Sequence, residues 1–213
     1  MLDNELTKAG YRRDPTQEME DAFPADAAAN AVNGCQFGAG QAIYAPDVKS
    51  LCIRYQARDD TETDCGSTAA ALGAANTPYA TPAAGTGLFV EKYSLEEGSL
   101  VCQAGGAGAQ AIKVADGVSD VHFEFGVDTA ADPGKGRHVD AFQTTVPTAG
   151  EVIRSLRYAI LMASSIKNVT QGMTSTVCSR WQDAGGAQAS CDTSKGQLYQ
   201  LATGSLTLRN LMP

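Results

Sequence analysis

The chain has 213 residues, a net charge of −8 and a pI near 4.7, with 43% apolar and 19% charged residues. This composition is ordinary for a globular protein, and the length suits a single domain. The acidic balance argues against nucleic acid or anionic lipid as a partner, because both carry negative charge. The sequence holds no run of about 20 apolar residues, the length that a membrane-spanning helix needs.

The first ten residues predict a short helix. Leu2, Leu6 and Ala9 fall on one helical face, and Gly10 suits the position just after a helix end. A helix of about two to three turns is not stable alone. We therefore expect it to pack on the rest of the protein or to be the end of a longer helix.

The remainder of the chain predicts strands separated by long loops. Residues 14–49 have little apolar periodicity and predict an irregular loop with at most a short helix. Alternating or continuous apolar residues predict strands at 50–56, 88–94, 99–103, 111–114, 118–127, 152–162, 197–201 and 205–211. A helix followed by strands, without a linker, predicts one α+β domain over 1–213. In such a fold the helix packs on an antiparallel sheet with long loops.

The stretch 118–127 has the clearest strand pattern. It predicts one buried face, formed by Val121, Phe123, Phe125 and Val127. His122 and Glu124 lie on the opposite face, which we expect to contact solvent. His138 follows in a polar loop and is also predicted to be a surface residue.

The six cysteines predict disulfide bonds. The chain has only two histidines and no Cys-x-x-Cys pair, so a zinc site is disfavoured. Disulfides indicate an oxidising compartment such as the periplasm or the cell exterior. Short loops are the easiest to close, which predicts the pairs Cys52–Cys65 and Cys178–Cys191 and leaves Cys35–Cys102. No free thiol is then expected; the alternative is that some thiols are free and buried.

The sequence contains no catalytic signature. Gly-x-Ser-x-Gly and the phosphate-binding loop are absent, and only two histidines could serve as a base. Asp128, Asp132 and Asp140 are candidate ligands for Ca²⁺, which prefers oxygen atoms. Their spacing differs from that of an EF-hand, and Lys135 and Arg137 would compete with a cation. A solvated loop is the simpler interpretation, and no other cofactor is expected.

Trp181 is the only tryptophan, and it lies between Cys178 and Cys191. Two interpretations are open. The residue fills a small core beneath a disulfide-closed loop, or it forms part of an exposed contact patch. The first is the more common use of a lone tryptophan in such a position.

Several separate stretches carry a further signal. In chain order they are Leu2–Tyr11, Ser50–Tyr55, Ser99–Cys102, Gly117–Asp128, Val139–Ala141, Val152–Ser164 and the segment 198–210. Together they resemble the PilW-type minor pilins of bacterial type IV pili. Phe125 stands where the family typically has Tyr. The loop after Asp128 is less acidic than in the family, which further lowers the case for calcium.

The resemblance implies a pilin-like headgroup, with a truncated N-terminal helix packed on an antiparallel sheet with long disulfide-bearing loops. Residues 1–10 would be the remnant of a long N-terminal helix, 11–49 the helix-to-sheet loop and 50–213 the sheet region. Leu2, Leu6 and Ala9 would pack the helix on the sheet. The gene is then expected to encode about 20 apolar residues directly before Leu2, with a Glu near their start.

The resemblance also implies a function. Minor pilins of this type assemble with one another into a complex that primes pilus assembly, and they can cap the pilus tip and support an adhesin. The expected roles are cell adhesion and twitching motility. The expected location is the periplasmic side of the inner membrane, then the extracellular pilus. A minor pseudopilin of a type II secretion system and a secreted ligand-binding module are the alternatives, whereas a hydrolase is disfavoured.

Overall fold

The structure, a computed structural model, describes residues 2–26, 34–77, 79–82, 87–105, 109–129, 138–148, 151–171 and 175–211. These residues form three α-helices, nine β-strands and several short 3₁₀ turns. Across the described ranges, no helix is both long and apolar enough to cross a membrane.

The strands form two antiparallel sheets. The helices are α1 (Leu2–Leu6), α2 (Met19–Ala22) and α3 (Val177–Asp183). The strands are β1 (Ile43–Asp47), β2 (Ser50–Gln56), β3 (Leu88–Glu96), β4 (Ser99–Ala104), β5 (Ile112–Asp116), β6 (Val118–Asp128), β7 (Ala141–Gln143), β8 (Val152–Ala163) and β9 (Tyr199–Thr207). The strand order is β1-β2-β3-β4-β5 in sheet 1 and β7-β6-β8-β9 in sheet 2. The predicted α+β class holds in coarse form, as a mostly β fold with few helices and two sheets rather than one.

Most predicted strands are present, but three elements lie in stretches that were predicted as loops. These elements are β1, β7 and α3. The prediction of two separate strands at 197–201 and 205–211 is wrong, because Tyr199–Thr207 pairs with β8 as one continuous strand. Gly204 does not break the strand. It makes room for Tyr158, whose ring would lie 2.3 Å from a Cβ at that position.

One core lies between the inner faces of the two sheets. The alternating apolar residues of β6 point into it as predicted, and they pair in register with Leu156, Tyr158 and Ile160 of β8. The prediction of a solvent-exposed opposite face is wrong. Asp120 and His122 are also buried, because the segment 177–191, called the plug below, covers that outer face of sheet 2.

The outer face of sheet 1 is covered by residues 11–26 and 34–42, called the cover below. Arg54 of β2 points into the cover and has no exposed surface. Its guanidinium donates hydrogen bonds of 2.5 to 2.9 Å to the carbonyl oxygens of Phe23, Pro24, Gly38 and Gln41. Burial lowers the pKa of Arg54 to about 10, so the side chain remains charged at neutral pH.

All six cysteines are paired, and two of the three predicted pairings are wrong. The bonds are Cys35–Cys52, Cys65–Cys102 and Cys178–Cys191. Cys52 pairs in register with Lys92, whereas Cys102 pairs with the next residue, Tyr93. Successive residues of a strand point to opposite faces. Cys52 therefore bonds to the cover on the outer face, and Cys102 bonds to a loop on the inner face.

Candidate assembly site

The N-terminal helix is seated in the core. Leu2, Leu6 and Ala9 are buried there, at 6%, 0% and 0% exposure. Leu2 and Leu6 lie one helical turn apart on one face of α1, and Ala9 follows in the turns after the helix. After Leu6 the chain continues through turns to Gly10, which has a positive φ of 73°. A Cβ at Gly10 would lie 2.2 Å from Leu211, so both conformation and packing require glycine here.

Hydrogen bonds tie this segment to both sheets. Tyr158 on β8 donates from Oη to the Asp3 carboxylate at 3.0 Å. Asn210 donates from Nδ2 to the carbonyl oxygen of Thr7 at 2.9 Å. The Gly10 amide donates to the carbonyl oxygen of Arg54 on β2 at 3.0 Å. The beginning of the chain is therefore fixed relative to both sheets, through side chains as well as through burial.

A buried carboxylate lies on the inner face of sheet 1, next to the helix. Glu91 has no exposed surface and accepts hydrogen bonds from the hydroxyls of Tyr55 (2.9 Å) and Tyr93 (2.7 Å) and from the Cys65 amide (2.9 Å). Burial, followed by the charge of Glu91, raises the pKa of both tyrosines, which keeps them protonated as donors. The Lys8 ammonium lies 5.3 Å from the centre of the Tyr55 ring.

The same carboxylate belongs to a set of possible metal ligands. In the described part of the chain, one group brings three candidate ligand atoms within 4.8 Å of one another: Cys65, Glu91 and Cys102. The two sulfur atoms are bonded to each other. Since metals bind thiolates, the oxidised protein offers only the carboxylate of this group.

The predicted calcium ligands have other partners. Asp128 is fully buried, and its carboxylate lies 3.5 Å from the Arg154 guanidinium. Asp140 accepts hydrogen bonds of 2.8 Å from the amide and the hydroxyl of Thr129. Asp132 lies outside the described residues. Among the residues that the structure describes, this loop contains no cluster of three metal ligands.

The two histidines have different environments. His138 is exposed, as predicted, and its Nε2 lies 2.7 Å from Asp140. The prediction for His122 is wrong, because the side chain is only 6% exposed beneath the plug. Burial lowers the pKa of His122, against the opposing charges of Glu124 and Asp120. Its Nε2 makes no hydrogen bond within the described residues.

Trp181 fills the centre of the plug, which favours the core interpretation over an exposed contact patch. The side chain has no exposed surface and packs with Leu161, Cys191 and Tyr199. Its indole Nε1 donates to the carbonyl oxygen of Ala187 at 2.9 Å. The Cys178–Cys191 bond closes the plug around the ring, and this pair agrees with the prediction.

A groove of about 390 Å³ remains on the outer face of sheet 2, beside the plug. His122, Arg157, Ala184 and Ser205 lie among its lining residues. The Arg157 guanidinium stacks 3.7 Å from the centre of the Phe142 ring, outside this lining. Within the described residues, neither histidine forms a hydrogen bond with a hydroxyl or thiol group.

The roles of the polar residues that hold the site together were not predicted from the sequence. Glu91 and Tyr158 were counted only as strand residues. A signal for Glu91 exists, because it interrupts the alternation of Phe89 and Tyr93 on the buried face of β3. A charged residue at a core position requires buried partners. The partners themselves lie far away in sequence and could not be named.

The sequence matches no protein-family profile and no curated protein sequence. Among solved structures, a type IV-like pilin from Thermus thermophilus aligns with 99% of this chain and 92% of its own. The TM-score is 0.42 and the sequence identity is 12%. That similarity assigns no family, and the proposals below rest on the residues of this chain.

Proposed function

We propose that this chain is the headgroup of a PilW-type minor pilin that assembles with other minor pilins. In this proposal the complex primes type IV pilus assembly, caps the tip and supports an adhesin. The observation that carries it is the seating of α1, whose apolar stripe is buried in the core between the two sheets. The motif resemblance along the sequence points in the same direction.

The seating of α1 supports a function in which a helix connects the headgroup to an assembly. A helix of five residues is not stable by itself, and its order comes from packing. Tyr158 of sheet 2 binds Asp3 of the helix, and Asn210 of the C-terminal segment binds the carbonyl oxygen of Thr7, directly after the helix. A longer helix continuing toward the N-terminus from Leu2 would therefore leave the headgroup in a defined direction.

We propose that the protein functions in assembly rather than as an enzyme. The buried polar groups that the structure brings together bind one another: Glu91 with two tyrosines, Asp128 with Arg154, and Arg54 with main-chain carbonyls. Such networks stabilise a fold and specify its geometry. The acidic chain makes nucleic acid an unsuitable partner. The proposed locations are the periplasmic side of the inner membrane before assembly and the extracellular pilus afterwards.

The test is an in-frame deletion of the gene in its host, read out as pilin in the fraction sheared from the cell surface. We expect this pilin to fall severely while the cellular pool of major pilin stays unchanged, and twitching motility to fall with it. The full gene should restore both. Normal surface pili together with lost secretion of exoproteins would instead identify a pseudopilin of a type II secretion system.

A second experiment tests the helix. Leu6→Asp introduces a charge into the core, and Asn4→Asp introduces the same charge on the exposed face of α1. In the full-length protein, Leu6→Asp should abolish complementation and co-purification of other minor pilins, whereas Asn4→Asp should retain both. The gene upstream of Leu2 should also encode about 20 apolar residues. A cleavable signal peptide without a retained apolar helix would refute the proposal.

A further inference from the structure

In the described part of the chain, three of the four edge strands carry features that oppose further pairing. In sheet 1, β1 contains Pro46 and shifts register between Tyr44 and Asp47. The opposite edge strand, β5, carries Lys113, and its pairing with β4 shifts register next to Leu100. In sheet 2, β7 has only three residues. Proline, bulges, lysine and short length are the usual means by which proteins protect sheet edges.

The fourth edge strand, β9, has none of these features. All nine of its residues pair with β8 in one unbroken register. The sequence Tyr-Gln-Leu-Ala-Thr-Gly-Ser-Leu-Thr contains no charged residue and no proline. A long, regular and uncharged edge strand is a template for pairing with another chain.

The main chain of β9 has hydrogen-bonding capacity on its open side. Just past the strand end, the Leu208 amide donates to the carbonyl oxygen of Arg154 at 3.0 Å. Because bonded positions alternate along an antiparallel pair, Leu201, Thr203 and Ser205 direct their N–H and C=O groups away from β8. Within the described residues, no hydrogen bond reaches these groups. Thr203 and Ser205 are also exposed, so the edge is accessible.

Basic residues frame this edge, although the chain as a whole carries a net charge of −8. Lys167 lies near the segment that leads into β9, because the amide of its neighbour Asn168 donates to the carbonyl oxygen of Lys195, which precedes the strand. Arg209 follows the end of the strand. Lys167 and Arg209 are both exposed, and neither forms an ion pair with another described residue. β9 itself contains no charged residue, and a basic side chain without an ion-pair partner among the described residues lies beyond each of its ends. The Asp3 carboxylate lies near its centre, because it accepts a hydrogen bond from Tyr158, the residue paired with Gly204.

We propose that β9 binds an extended strand of a different protein chain, uncharged at its centre and acidic at both ends. The two strands would pair antiparallel through the main-chain groups of Leu201, Thr203 and Ser205. A second copy of this chain does not fit. Antiparallel pairing of β9 with itself would bring the Lys167 end of one copy against the Arg209 end of the other, and like charges repel. This inference does not depend on the proposed function.

The surroundings of β9 indicate which side chains the added strand would carry. The groove on the outer face of sheet 2 is lined by Thr203 and Ser205 on its β9 side. Residues of the added strand that lie opposite these two would point to the same face. Threonine and other β-branched residues make favourable cross-strand pairs at such positions. The centre of the partner strand should therefore be rich in Thr and Val.

The test uses two synthetic peptides with blocked termini and a fluorescent label. The first has the sequence Asp-Asp-Thr-Val-Thr-Val-Thr-Glu-Glu. The second replaces its four acidic residues with lysine. We expect the acidic peptide to bind at least tenfold more tightly than the basic one, as measured by fluorescence anisotropy. By NMR, slowed amide exchange should appear at Leu201, Thr203 and Ser205.

Two sets of variants test the mode of binding. Thr203→Pro removes an outward N–H group while leaving the bonds to β8 in place, and Thr203→Val keeps that group. We expect the proline variant to bind at least tenfold more weakly and the valine variant to bind within twofold of the parent protein. The double variant Lys167→Glu and Arg209→Glu should reverse the preference between the two peptides. Far-UV circular dichroism, which reports mainly on the sheets, verifies that each variant is folded.

Several results would overturn the proposal. These are no binding of the acidic peptide at millimolar concentration, binding without slower exchange at the three outward amides, and equal affinity for both peptides. Dimerisation of the parent protein through β9, detected by analytical ultracentrifugation, would overturn the choice of a different chain as the partner. If Thr203→Pro does not fold, the charge-reversal variant decides the outcome alone.

Discussion

The two sheets are covered on their outer faces in different ways. The cover of sheet 1 binds the strand beneath it, because Arg54 of β2 holds four of its carbonyl oxygens and Cys35 is bonded to Cys52 of β2. The plug of sheet 2 is closed on itself. Its disulfide, Cys178–Cys191, joins two residues of the plug, and Trp181 fills its interior.

This difference indicates how the molecule should unfold. A segment that is bonded to a central strand loses its structure when the strand does, whereas a segment organised around its own small core can open separately. Trp181 is the only tryptophan, so its fluorescence reports on the plug. Far-UV circular dichroism reports mainly on the sheets. Together, the two signals distinguish unfolding of the plug from unfolding of the sheets.

The largest effect is expected at Arg54. Arg54→Met leaves four buried carbonyl groups of the cover without their donor and separates Asp26 from its 3.7 Å ion pair. Removing one partner of a buried charged network costs about 3–5 kcal/mol. We expect the circular dichroism transition in urea to report that loss. Arg58→Met is the matched control, because Arg58 is 68% exposed and its pair with Glu62 contributes about 1 kcal/mol or less. Equal stability of both variants would contradict the role of Arg54.

The second prediction compares two disulfides that close loops of similar length. Cys178 and Cys191 are separated by 13 residues, and Cys35 and Cys52 by 17. Replacing either pair with serine should cost about 3 kcal/mol by loop entropy. The two replacements should destabilise different parts of the molecule. Loss of Cys178–Cys191 should shift the fluorescence transition alone, whereas loss of Cys35–Cys52 should shift circular dichroism as well. If each double variant shifts both signals equally, the plug does not open separately.

The cover and the plug also show which parts of the fold could be predicted from the sequence. The inner faces follow from local alternation, and β2 was predicted with the bounds that the structure has. The outer faces depend on segments distant in sequence. Nothing local to His122 indicates that a loop more than fifty residues later covers it. A strand with polar residues on one face therefore predicts exposure even where a plug will lie.

The sequence indicates which face of its strand Cys52 occupies, but the disulfide pairs were predicted from loop length instead. The alternation of Leu51, Ile53 and Tyr55 already places Cys52 on the opposite, outer face of β2. A cysteine on the outer face cannot bond to one on the inner face, so Cys52 cannot pair with Cys102 or with Cys65, which the structure places on the inner face. The choice of Cys35 requires knowing that the cover lies on the outer face, and this depends on the contacts of Arg54 with main-chain carbonyls.

The third prediction concerns the packing of the plug. A Cβ at Gly186 would lie 1.9 Å from the Trp181 ring, so Gly186→Ala forces the ring or the loop to move. Overpacking of this kind costs about 1–3 kcal/mol, and we expect the fluorescence transition to shift accordingly. The control lies in the cover of sheet 1. Gly38→Ala would place its Cβ 3.6 Å from Gln41, an ordinary contact, and should change stability little. A larger effect at Gly38 than at Gly186 would reverse the expected order.

The smallest effect is a pH dependence of the plug. His122 lies beneath Gly185 of the plug, and burial lowers its folded-state pKa below the ordinary value of 6.5. Between that folded pKa and 6.5 the unfolded state binds more protons than the folded state, so stability falls as pH falls through this window. Glu124 and Asp120 oppose the shift, and Lys49 supports it, so the effect should be modest.

The variant that isolates this effect is His122→Asn, which cannot titrate. The two proteins differ only at this position, so the difference between their stability curves reports on the replacement of His122. We expect the parent protein to lose stability relative to the variant as the pH is lowered below about 6.5, measured by Trp181 fluorescence in urea. Parallel stability curves, or a gain for the parent protein at acidic pH, would show that the plug does not hold His122 in its neutral form. Because the cover of sheet 1 contains no histidine, the unfolding transition followed by circular dichroism provides the internal reference.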